Sequence, residues 1–183
     1  PGLVKRVADA GHEIACHGMN HALVYEQRPE TFRAEVADAR NLLSDQSGQP
    51  VFGFRAPSWS VTERSLWALD VLAASGFRYD SSIFPAANYL YGIDGAPRRL
   101  YRVRTGAGDL IEVPPPLIGL RRWRFGVGGG FYLRVLPLAV HRWALRNTDD
   151  DRAAAYAALL RRATPAPLDG AIALEAGRLS IKH

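Results

Sequence analysis

Apolar positions along the first half of the chain recur with two different periods. Leu3, Val4, Val7 and Ala8 fall at helical spacing, and Gly11 follows as a stop, so a helix is expected over residues 1–10. His12 to Cys16 then reads as a short strand. From Pro29 to about Ser47 the period is helical again, with Phe32, Val36, Ala39 and Leu43 on one face. Pro29 suits a first helical turn and Gly48 suits the position just past a last one. Val51 to Phe54 reads as a second strand. Ser60-Val61-Thr62-Glu63 has the form of a capping box, and the helix it would open carries Leu66, Leu69, Leu72 and Ala73 before Gly76 closes it. Phe77 to Tyr79 reads as a third strand.

Helix and strand therefore alternate three times. That order predicts parallel strands joined by crossover helices, an α/β fold. Beyond Ile83 the character changes: Pro, Gly, Tyr and Asn dominate, and the helical period fades. Leu100–Val103 and Leu110–Val113 read as strands joined by a turn over Thr105–Asp109, and Pro114-Pro115-Pro116 ends the second. A helix is expected from Pro137 with Val140, Trp143 and Ala144. Arg152 to Arg162 reads as an alanine-rich helix after a polar break at Asn147–Asp151. Gly177 splits two short apolar runs over Gly170–His183.

Each expected strand in the first half ends in a polar cluster: His17 and His21, then Arg55 and Ser58, then Asp80, Ser81 and Ser82. Ligands of parallel α/β sheets bind at the carboxyl ends of strands, so three clusters at three successive ends point to one site. His17-Gly18-Met19-Asn20-His21 sets two imidazoles four positions apart. Imidazole is the commonest protein ligand of transition metals, and a catalytic zinc site takes three protein ligands and keeps one open position. Several simpler roles compete. The histidines can hydrogen-bond within a loop, Arg55 can pair with Asp80 or Glu63, Trp59 can be core, and Cys16 can be a small buried thiol.

Composition narrows these choices only a little. The 183 residues suffice for one domain with a real core. No apolar run reaches the ~18 residues of a membrane span. One cysteine excludes an internal disulfide. The net charge of +5 comes almost wholly from arginine and is densest at Arg121-Arg122-Trp123-Arg124-Phe125. No nucleic-acid recognition motif accompanies that patch, so no nucleic-acid partner is expected. Gly126–Gly130 lacks the lysine and the strand-to-helix frame of a phosphate loop.

With these residues in view, the sequence resembles the polysaccharide deacetylases, the NodB-homology family or carbohydrate esterase family 4, in a branch associated with bacterial exopolysaccharide and exosortase systems. Gly11 to His21 is similar to the family's histidine motif, Gly53 to Ser60 to its arginine–proline motif, and Phe77 to Pro85 to its aspartate motif. Glu112-Val113-Pro114-Pro115 and Gly128 to Tyr132 are similar to features of the branch. The resemblance implies an incomplete, distorted (β/α) barrel of the glycoside hydrolase and deacetylase type. It divides the chain into a partial deacetylase domain over 1–147 and a divergent segment over 148–183.

The resemblance also implies hydrolysis of N-acetyl or O-acetyl groups on an acetylated bacterial polysaccharide, with a divalent metal, zinc first among them. His17 and His21 would be metal ligands. Arg55 would hold the catalytic base, Asp80 would orient a catalytic histidine, and Pro57, Ser58, Trp59 and Ser81 would shape the substrate groove. The family's opening Asp-Asp strand is expected to be missing from this chain, which would then be a fragment, and the closing Leu-x-His motif is not recognisable. His183 is a candidate stand-in, and His141 reads as structural. The alternative is an inert remnant that binds only metal or glycan. A sheet edge left open by the missing strand would make the isolated chain poorly soluble. Oligomeric state, and the choice between bacterial cytoplasm and periplasm, stay open.

Overall fold

The computed structural model describes residues 2–86, 90–115, 117–118, 125–126, 134–140 and 143. The chain forms two compact units, Pro1–Ala96 with Tyr101–Val113, and Pro97–Leu100 with Pro114–His183. The expected boundary at 147, the arginine–aromatic patch at 121–124, the glycine run at 128–130, His141, the helix at 152–162 and His183 all lie outside the described residues.

In the first unit, helix α1 spans Leu3–Asp9, α2 spans Pro29–Ser47 and α3 spans Trp67–Ala74. The strands are β1 (Gly53–Phe54), β2 (Tyr79–Asp80), β3 (Tyr101–Thr105) and β4 (Gly108–Glu112). They form one sheet in the order β1-β2-β4-β3. The pairs β1–β2 and β2–β4 are parallel, and β3 runs antiparallel to β4. This is the α/β architecture that the alternating periods predict. In the second unit, β5 (Leu117–Ile118) pairs antiparallel with β6 (Phe125–Gly126), and residues 138–140 are helical as expected. No helix among the described residues is long and apolar enough to cross a membrane.

Helix α2 keeps both of its expected limits. Pro29 opens it, and Gly48 ends it in the left-handed conformation at φ 74°, its N–H returning to the Ser44 carbonyl at 2.9 Å. Its apolar face buries Phe32, Val36 and Ala39. The Phe32 ring meets Phe54 of β1 and Trp67 of α3 edge-on, at 5.6 Å in each case. One side chain thus ties two helices to the sheet, and truncating such a buried phenylalanine typically costs about 3–5 kcal/mol. Arg40 adds a polar tie, donating to the Val51 carbonyl at 2.9 Å and the Ser75 carbonyl at 3.2 Å.

Three expectations need correction. The segment from His12 does not pair as a strand: only Cys16 bridges, parallel to Phe54. The carbonyl of His12 is taken by the Gln49 side chain at 3.0 Å instead. The cap before α3 sits at Thr62 and Ser65 rather than Ser60 and Glu63, with the Ser65 hydroxyl accepting the Thr62 N–H at 2.9 Å. Ser60 is fully buried, and its hydroxyl is already committed to the N–H of Val24 at 2.9 Å. Leu66, expected on the buried face of α3, is 43% exposed, and Ala68, Leu69, Val71 and Leu72 form that face.

Candidate active site

The strand ends deliver the site by register. Cys16 bridges Phe54, Phe54 lies opposite Asp80, and Asp80 lies opposite Glu112. All four are buried. The next residue on each segment is His17, Arg55, Ser81 or Val113. Successive side chains on a strand point to opposite sides, so this second row leaves the first and gathers at the carboxyl ends.

These second-row residues are linked one to the next. The Nδ1–H of His17 donates to the Arg55 carbonyl at 2.6 Å. The Arg55 guanidinium donates to the Ser81 hydroxyl at 2.7 Å and to the Ser81 carbonyl at 3.3 Å. The Ser81 hydroxyl donates onward to the Val113 carbonyl at 2.7 Å. Nε and one terminal nitrogen of Arg55 are thus engaged by Ser81, and among the described residues neither Asp80 nor Glu63 takes them.

The bond to Arg55 fixes the His17 tautomer. Since a carbonyl only accepts, Nδ1 must carry the proton, and Nε2 keeps its lone pair. Burial lowers the His17 pKa; the Arg55 carbonyl opposes this, and the His21 and Arg55 charges add to the lowering. Neutral imidazole with a pinned Nδ1–H is the form that ligates metals. The His21 ring lies 5.1 Å away, centroid to centroid, at 77°. The connecting turn uses positive φ at Gly18 (78°) and His21 (57°). The imidazole pair suits two positions of a tetrahedral zinc centre. Among the described residues, no group of three or more His, Cys, Asp or Glu is placed to hold a metal ion.

Pro57, Ser58 and Trp59 follow in a tight turn. Ser58 (φ 52°) and Trp59 (φ 50°) both adopt left-handed backbone. Non-glycine residues do so at a cost, and such strain clusters at functional segments. Pro57 is buried and Ser58 exposed. The Trp59 ring packs against Phe84 at 5.3 Å and Tyr91 at 5.4 Å, while its indole N–H has no hydrogen-bond partner among the described residues. The turn is braced from below by the Ser82 hydroxyl, which accepts the Ala56 N–H at 2.8 Å. Cys16 is buried beneath the histidines, and burial pushes its thiol pKa up, the opposite of an activated nucleophile.

Asp80 stands apart from the linked row. It is fully buried, accepts the Ser82 N–H at 3.2 Å and its hydroxyl, and neighbours the equally buried Glu112. The structure thus brings His17, His21, Arg55 and Ser81 together and sets the Asp80 carboxyl behind them. Sequence reasoning gave no site role to two acids, Glu112, noted only within a branch feature, and Glu35. Glu112 sits at the end of the apolar run Leu110-Ile111, where a carboxylate is out of place. Glu35 lies one position before Val36 of the buried stripe on α2 and reaches the histidine turn, accepting the N–H of Met19 and of Asn20.

Comparison with known proteins relates the chain to deacetylases. Residues 1–79 match the family model Polysaccharide deacetylase, and residues 81–158 match Domain of unknown function (DUF3473). Over 84 residues the chain is 32% identical to a peptidoglycan deacetylase of Helicobacter pylori (strain ATCC 700392 / 26695), a stretch covering 44% of this chain and 26% of that protein. A crystal structure from Mycobacterium smegmatis, assigned as a polysaccharide deacetylase, superposes with a TM-score of 0.55 at 22% identity, over 97% of this chain and 59% of that one. Another, from Pseudomonas aeruginosa PAO1 and similarly assigned, gives 0.49 at 16% identity, over 98% and 55%. The chain thus spans about a quarter of the curated relative. The Mycobacterium smegmatis likeness bears out the α/β fold of the deacetylase barrel type.

Proposed function

From the match of residues 1–79 to the Polysaccharide deacetylase family model, we propose that this chain is part of a metal-dependent hydrolase that removes N-acetyl or O-acetyl groups from a bacterial polysaccharide. His17 and His21 are the residues that would hold the metal, zinc being the ion best suited to paired imidazoles with an open position. When bound, such an ion supplies Lewis-acid activation of an acetyl carbonyl and of water. The observation that carries the reading is the His17 Nδ1–H bond to the Arg55 carbonyl, which leaves Nε2 unprotonated beside the His21 ring.

The chain's own residues would do the rest. Arg55, braced by Ser81, presents a planar donor fork suited to a carboxylate or an acetyl oxygen. Ser58, exposed on a strained turn next to it, and Trp59, whose ring packs on Phe84 and Tyr91, would line a sugar-binding groove. The match of residues 81–158 fits the exopolysaccharide-associated branch.

A second reading draws on the burial of Asp80. With that carboxyl enclosed and bonded to Ser82, the chain would bind metal or glycan without turnover. Zinc content of the purified chain, set beside a His17→Ala, His21→Ala double variant and paired with acetate release from an N-acetylated glycan, separates the cases. Zinc bound only by the parent chain together with acetate release supports the hydrolase. Zinc without acetate leaves the second reading, and equal zinc in both proteins removes the ligand assignment.

A further inference from the structure

We propose that Glu35 is a positioning residue that sets the turn between His17 and His21. A single oxygen, Oε1, accepts two successive main-chain donors, the N–H of Met19 at 2.9 Å and of Asn20 at 3.0 Å. The carboxylate therefore sits in the hollow of the turn and fixes the direction of both peptide planes. Charge-assisted bonds of this kind are stronger than neutral ones. Glu35 is itself held in place, because it stands on α2 between the buried Phe32 and Val36.

The turn is shaped to admit this oxygen. Gly18 adopts φ 78°, and a Cβ there would stand 3.2 Å from Glu35 Oε1 and 3.9 Å from Pro57 Cγ. Glycine thus meets the backbone conformation and also leaves the carboxylate its path. His17 has a separate anchor in the Arg55 carbonyl. His21, at the far end, takes its position from the turn, at φ 57°. Glu35 accordingly governs where the second imidazole stands relative to the first.

The inference rests on the reading of His17 and His21 as a ligand pair. Its test uses the full chain with Glu35→Ala, Glu35→Gln and the double histidine variant. Zinc affinity is measured by competition with a chromophoric chelator, and amide hydrogen exchange is measured in zinc-free protein. In Glu35→Ala, zinc affinity falls about 10- to 100-fold, the usual loss for an outer-shell partner, and exchange at Met19 and Asn20 accelerates. Glu35→Gln, which keeps an acceptor oxygen, restores both. Unchanged exchange in Glu35→Ala overturns the contact. Accelerated exchange with unchanged, histidine-dependent zinc affinity overturns the positioning role while the ligand pair stands. Zinc binding indifferent to the histidines overturns both.

Discussion

The carboxyl groups of Asp80 and Glu112 face each other from register partners on parallel strands, and neither residue is exposed to solvent. Glu112 Oε1 accepts the Ile83 N–H at 3.0 Å, and Asp80 accepts from Ser82. Among the described residues, Glu112 Oε2 meets no N–H or hydroxyl donor. A proton on one carboxyl satisfies that atom and removes the repulsion of two like charges in a dry interior. Burial and the neighbouring carboxylate push Glu112 well above the ordinary range, and burial raises Asp80. Arg55 pulls Glu112 downward, and the Tyr101 phenol, on the β3 register partner of Glu112, is pushed up first by burial and then by the Glu112 and Asp80 charges.

This pair predicts a stability that falls as pH rises. The folded chain holds its proton more tightly than the unfolded chain, which releases it near the ordinary glutamate value of 4.5. The stabilisation is complete below that value and is lost as pH climbs toward the raised folded pKa. Glu112→Gln removes the titration and keeps an oxygen for Ile83. Urea unfolding at about pH 5 and about pH 8 should show wild-type stability dropping between the two and a smaller drop in Glu112→Gln. Parallel curves for the two proteins would show that the pair does not share a proton.

Much of the scaffold was legible because it rests on local chemistry. Pro29 and Gly48 mark both ends of α2, and the run of Phe32, Val36 and Ala39 marks its buried face. His17, Arg55 and Ser81 were legible as polar residues that follow apolar runs. The cluster Asp80-Ser81-Ser82 read as one unit because sequence does not show which side of a strand a residue faces. In the folded chain Asp80 turns to Glu112, and Ser81 turns to Arg55. Glu112 and Glu35 were illegible as partners for a related reason. One depends on a pairing register 32 positions apart, Asp80↔Glu112, and the other on a helix meeting a turn. The cap before α3 moved because Ser60 was claimed by Val24, a distant donor.

Gly53 predicts a steric coupling. It lies opposite Tyr79 on the parallel partner strand, and a Cβ added there would fall within the phenol ring. That phenol donates to Glu13 Oε1 at 2.7 Å. Gly53→Ala must displace the ring and break the bond, at a cost of about 1–3 kcal/mol for overpacking. Tyr79→Ala removes the obstacle. A double-variant cycle on unfolding free energy should therefore show Gly53→Ala costing less in the Tyr79→Ala background. Additive costs would mean the ring yields without strain.

Arg55 serves the site with two different parts, and one substitution separates them. Its main-chain carbonyl accepts the His17 Nδ1–H, while its guanidinium engages Ser81 through Nε and a terminal nitrogen. Arg55→Lys leaves the carbonyl where it is, so the His17 tautomer survives. A lysine ammonium carries the charge but not the planar fork, and it cannot reproduce both bonds to Ser81 in one geometry. The proposed zinc site should therefore keep its affinity in Arg55→Lys. Acetate release should drop by about 10- to 100-fold, the range for groups that orient a metal site from outside its ligands. Zinc titration and turnover, measured on the same preparation, check the two halves together. A parallel loss of zinc would mean that the guanidinium, not the peptide carbonyl, holds His17 in place.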